Sequence, residues 1–149
     1  MKVVINACYG GFSISLEAAR HMAAAGSARA QQDVASHEKE LAAFAQYRDH
    51  GTKPPGEGRD VAFSTGMWDI AIKYDKLPQY HGYGYVEGMD GGYERNDPLL
   101  IAAVESLGSE KAGGEHSTLK VVEIPDGTDY EIDEYDGYEH VAEKHRTWS

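Results

Sequence analysis

The sequence predicts a small single α+β domain with a mainly antiparallel sheet, a C-terminal β-hairpin and two to three helices. Three observations carry that reading. Short β-branched runs stand near both ends, at Val3-Val4-Ile5 and Val121-Val122. Asp97-Pro98 opens an apolar helical pattern that Gly108 closes. Asp136-Gly137 separates two segments rich in tyrosine, the strongest short hairpin signal. The length, 149 residues and 16.3 kDa, suits one domain. A chain of that size buries roughly 68–70% of its unfolded surface and needs no covalent staples.

Taken in order, Val3-Val4-Ile5 reads as a short buried strand running into Cys8-Tyr9-Gly10-Gly11-Phe12. The paired glycines allow a tight turn or a close backbone approach. Ser13 or Ser15 then caps a helix to about Gly26, with Glu17 placed where the helix dipole favours an acid. Strand, glycine turn and helix N-terminus in succession form an anion seat, because free N–H groups face whatever occupies the turn. No Gly-Lys-Ser or Gly-Lys-Thr follows, so this is not a Walker loop.

From Gln31 to His50, Val34, Leu41, Phe44 and Arg48 share one face at helical spacing. Residues 51–58 form a Gly/Pro loop, and residues 26–94 as a whole resemble an insertion. Within it, residues 61–65 and 69–74 are expected as strands. Tyr80 to Tyr93 holds five glycines and four tyrosines in fourteen residues. That composition suits a surface loop first, and alternatively a lid that offers stacking faces to a ligand.

Asp97 is a natural N-cap, Pro98 fits the first helical position, and Leu99, Leu100, Ala103, Val104 and Leu107 give the helix an apolar face. Lys111 to Glu115 is expected as a loop. Two strands follow, over residues 119–124 and 130–135, and residues 138–148 are expected as the returning strand.

Charge bounds the partners. The chain carries 14 Lys and Arg against 25 Asp and Glu, a net charge of −11. Long nucleic acid and anionic membrane surfaces are therefore excluded as partners. No apolar run approaches a membrane span, and the expected location is the cytoplasm. Cys8 is the single cysteine, which excludes a disulfide framework and a multi-thiolate metal site. No cofactor or metal is expected. Nine acids and no Lys or Arg lie between Lys120 and Lys144. They do not follow a calcium-loop pattern and read as the solvated face of a hairpin.

His116-Ser117-Thr118 and His145-Arg146-Thr147 both fit His-x-Thr, the motif of two-histidine phosphoesterases. They lie only 29 residues apart, whereas that family separates its motifs much further. Cys8 with a distant histidine is a thiol-hydrolase sketch without a supporting signature. Arg95 and Arg146 sit at ends of well-signalled elements, where each can hold a phosphate or pair with a carboxylate.

Four segments together carry a resemblance. They are Asn6-Ala7-Cys8-Tyr9-Gly10-Gly11-Phe12, Arg95-Asn96-Asp97-Pro98-Leu99, Leu119-Lys120-Val121-Val122-Glu123-Ile124-Pro125-Asp126, and Glu134-Tyr135-Asp136-Gly137 with Glu143-Lys144-His145-Arg146-Thr147-Trp148. This set resembles the first-described family of phage Thoeris anti-defence proteins, the "sponges". The resemblance covers about the first sixteen and last fifty-five residues, and residues 26–94 fall outside it. It implies a cytoplasmic protein of the infected host cell that sequesters a cyclic ADP-ribose isomer without cleaving it. Cyclic oligonucleotides are a further implied ligand class, and a homo-oligomer, a dimer or higher, is the implied assembly. Carried over by position, Cys8, Tyr9, Gly10, Gly11 and Phe12 would line the pocket. Arg95, His145 and Arg146 would contact phosphate or ribose. The alternatives are a phosphodiesterase built on His116 and His145, and an acidic inhibitor of a basic protein.

Overall fold

A computed structural model describes residues 1–51, 72–75, 77 and 92–144. The chain is a small α+β domain with two antiparallel two-stranded sheets, one of them the C-terminal hairpin. Strand β1 (Lys2–Asn6) pairs with β2 (Leu119–Glu123), with Val4 opposite Val121. Strand β3 (Tyr130–Tyr135) pairs with β4 (Tyr138–Glu143), with Ile132 opposite Val141. Both central turn residues of this hairpin have positive φ, 52° at Asp136 and 85° at Gly137. That backbone follows the right-handed twist of the flanking strands, which is why Asp-Gly marks such turns.

The helices begin where their caps stand. Ser15 opens α1 (Leu16–Ala24), its Oγ accepting from the Ala18 amide at 3.0 Å. Ser27 opens α2 (Ala28–His50) and Gly51, at φ 63°, closes it. Asp97 caps α3 (Pro98–Leu107) by accepting from the Leu99 amide at 2.8 Å. A single turn, α4 (Ser109–Ala112), follows within the region expected as a loop from Lys111. Ile72 and Lys73 are helical, which corrects the strand expected over residues 69–74. The other expected strand, residues 61–65, lies outside the described residues, as does most of the Gly/Tyr segment from residue 80.

Val4, Ile14, Ala18, Ala19, Met22, Leu100, Ala103, Val104 and Leu119 form the centre of the core. Small residues on α1 and α3 let these two helices pack together, and α3 lies against β1 and β2. The inward face of α2 includes the expected Phe44, which is buried, and Val34, which packs against the core, whereas Arg48 is exposed. Ala30, Asp33 and His37 are buried beside them. Tertiary partners explain the buried Asp33. The Tyr93 hydroxyl donates to Asp33, and the Arg29 guanidinium lies 5.0 Å from the Tyr93 ring centre. Burial pushes the Asp33 carboxyl above its ordinary pKa, a rise that the Tyr93 hydrogen bond and the Arg29 charge only partly oppose.

Strand β1 has one edge on β2, and its other edge is finished by side chains. The Val4 amide donates to the Arg95 carbonyl at 2.8 Å, and the Asn6 amide donates to Glu139 Oε2 at 2.7 Å. The Val4 carbonyl accepts from Arg95 Nη1 at 3.3 Å. Backbone groups that would otherwise be buried without partners are thereby satisfied.

Candidate functional site

The candidate site is the turn over residues 8–12, and Asn6 is the residue that builds it. Asn6 is fully buried at the end of β1. Its Nδ2 donates to the Cys8 carbonyl at 2.8 Å and to the Gly137 carbonyl at 2.6 Å. Its Oδ1 accepts from the Thr118 amide at 2.9 Å and the Ser117 hydroxyl at 3.2 Å. One amide side chain therefore ties together the turn, the start of β2 and the hairpin tip.

Glycines permit the close approach. A Cβ at Gly10 would lie 1.7 Å from the His116 carbonyl oxygen, and one at Gly137 would lie 2.3 Å from the Gly11 nitrogen. Both positions demand the absence of a side chain. Gly11 adopts φ 82°, which turns the chain toward Phe12. Further along, the Ser13 amide donates to Ser117 Oγ at 3.3 Å and the Ser15 amide to the Ala112 carbonyl at 2.8 Å. Residues 9 and 10 are the centre of a hydrogen-bonded turn from Cys8 to Gly11, and the Gly10 and Gly11 nitrogens lie against Gly137 at the hairpin tip. Tyr9 and Gly10 are exposed, and Cys8, Gly11 and Phe12 are half-buried.

The Tyr9 ring lies 5.6 Å from the Tyr138 ring, tilted by 39°. Cys8 is held inward, its Sγ within 3.1 Å of the His116 carbonyl oxygen and 3.3 Å of Asn6 Oδ1. The His116 side chain is exposed on the same rim.

Arg95 is part of the support beneath this turn. Its Nη1 and Nη2 each donate to Glu139 at 2.8 Å, and its guanidinium lies 3.4 Å from the Phe12 ring centre. Arg95 and Glu139 are both buried. Of the two fates open to Arg95 from the sequence, carboxylate pairing is the one observed. His145 and Arg146 lie outside the described residues.

Three residues that build the site were not singled out from the sequence: Glu139, Tyr138 and Asn6. Eight of the nine acids in the hairpin region are exposed, as expected, and Glu139 is the buried exception. Its signal was parity, because Glu139 shares an inward face of β4 with Val141. Among the described residues, no group of three or more His, Cys, Asp or Glu is arranged to hold a metal ion. No described helix is long and apolar enough to cross a membrane. No protein-family model, curated protein or solved structure matches this chain.

Proposed function

We propose that this protein binds and sequesters a small cyclic nucleotide-type signal, a cyclic ADP-ribose isomer, without cleaving it, in the cytoplasm of a phage-infected cell. The observation that supports this reading is the turn over residues 8–12, fixed by Asn6, with the exposed Tyr9 ring on its rim. That ring, 5.6 Å from the Tyr138 ring, suits stacking on a base. Rigidity matters for a binder, because a turn already held in shape loses little freedom on capture. The resemblance carried by residues 6–12, 95–99 and the C-terminal segments supplies the ligand class. Cyclic oligonucleotides belong to the same chemistry, and assembly as a homo-oligomer would deepen a site that one small domain leaves shallow.

The test is capture and release. Purified protein is incubated with cyclic ADP-ribose isomers, freed of unbound ligand, heat-denatured, and the supernatant is analysed by mass spectrometry. Intact ligand in the supernatant is expected, with capture weakened by Tyr9→Ala at unchanged melting temperature. Absence of any captured isomer overturns the proposal. Linearised product that disappears in His116→Ala overturns sequestration in favour of the phosphodiesterase.

A further inference from the structure

The outward face of the hairpin presents a second surface, which borders the turn over residues 8–12 where Tyr138 lies beside Tyr9. Strand alternation places Glu131, Asp133 and Tyr135 of β3 beside Tyr138 and His140 of β4 on one face. All five are exposed, with Tyr135 at 79% and Tyr138 at 43%. Tyr135 and Tyr138 stand directly opposite each other across the Asp136-Gly137 turn. The turn residues hold positive φ, so the two rings are carried by a defined backbone. Residues 121–143 contain no Lys or Arg, Lys144 pairs with Asp129 at 3.2 Å at the base of the hairpin, and on the face itself His140 Nε2 lies 3.4 Å from Asp133 Oδ2.

An exposed pair of aromatic rings that shares its face with Asp133 and Glu131 has a chemical complement. A guanidinium is planar, stacks on tyrosine, and donates to carboxylates in a forked geometry. An ammonium has the charge without the plane. Phosphate-bearing partners are repelled by the acids, and a second copy of this face would meet like charge with like. The net charge of −11 further favours encounter with a basic surface. We infer that the Tyr135–Tyr138 face of the hairpin is a docking surface for an arginine-bearing segment of a protein partner. This surface shares Tyr138 with the candidate site, where that ring lies beside Tyr9, so the test also follows nucleotide capture.

The experiment titrates labelled oligo-arginine and oligo-lysine peptides of equal length against the full chain, following fluorescence anisotropy. Oligo-arginine binds more tightly than oligo-lysine. The Tyr135→Ala, Tyr138→Ala double variant lowers the arginine affinity by roughly tenfold, as two exposed cation–π contacts with stacking would, and lowers the lysine affinity by clearly less. The corresponding double Phe variant retains the preference, which separates ring stacking from any effect on folding. Equal binding of the two peptides, or an arginine affinity indifferent to the Ala variant, overturns the inference and leaves net charge alone. Loss of cyclic ADP-ribose capture in the Ala variant with arginine binding intact also overturns it, and assigns the rings to the nucleotide.

Discussion

Glu139 grips Arg95 through both terminal guanidinium nitrogens at 2.8 Å while its Oε2 also accepts the Asn6 amide at 2.7 Å. A single carboxylate from the hairpin thus neutralises a buried cation and completes the open edge of β1. The two sheets share no strand, so this contact is a principal tie between them. An isolated two-stranded hairpin is marginal in water, and the tie gives it a partner in the core.

Breaking that pair from one side leaves a buried charge without its counterion. Glu139→Gln keeps an acceptor for the Asn6 amide but removes the charge, and is expected to cost about 3–5 kcal/mol in urea unfolding. Adding Arg95→Met removes the orphaned cation. The double variant is then expected to be more stable than Glu139→Gln alone. Strictly additive losses in the double-mutant cycle would show that the pair is not coupled.

The glycines make a second comparison, because two of them share a backbone conformation and differ in surroundings. Gly127 at φ 80° and Gly137 at φ 85° both sit in the left-handed region. A Cβ at Gly127 meets nothing within 4 Å, whereas one at Gly137 meets the Gly11 nitrogen at 2.3 Å. Gly127→Ala is therefore expected to cost only the backbone term, roughly 1–2 kcal/mol. Gly137→Ala adds a backbone clash and is expected to cost at least about 3 kcal/mol, measured by chemical denaturation. Equal losses at the two sites would mean that the turn over residues 8–12 yields freely, contrary to the rigidity on which the proposed ligand site rests.

The parts legible in the sequence were those with local causes. Ser15, Asp97 with Pro98, and Gly108 mark helix ends through contacts within a few residues, and α1 and α3 appear where those residues place them. Asp136-Gly137 fixes the hairpin turn for the same reason. Partners far along the chain left no such signal. Arg95 and Glu139 are 44 residues apart, Tyr93 and Asp33 are 60 apart, and Asn6 reaches residues more than a hundred positions away. Periodicity alone put Val34 and Leu41 on the inner face of α2. Val34 does pack against the core, but Tyr93 and Arg29 bring Asp33 inside beside it, an outcome that hydrophobic pattern cannot encode.

That buried carboxyl sets a pH dependence with a definite sign. Burial raises the Asp33 pKa above its ordinary value of 3.8. A carboxyl with a folded pKa above its unfolded value contributes stability that is fully present below the unfolded value. The contribution is lost as pH rises through the folded pKa, because the charged form is disfavoured inside. Asp33→Asn keeps an oxygen to accept the Tyr93 hydroxyl and cannot ionise. The stability of the variant relative to the parent is therefore expected to improve as pH rises from the acid side of 3.8 toward neutrality. Urea unfolding of both proteins across that range measures the difference directly. A difference that stays flat, or shifts in favour of the parent with rising pH, would mean that Arg29, with its Nε 3.8 Å from Asp33, outweighs burial.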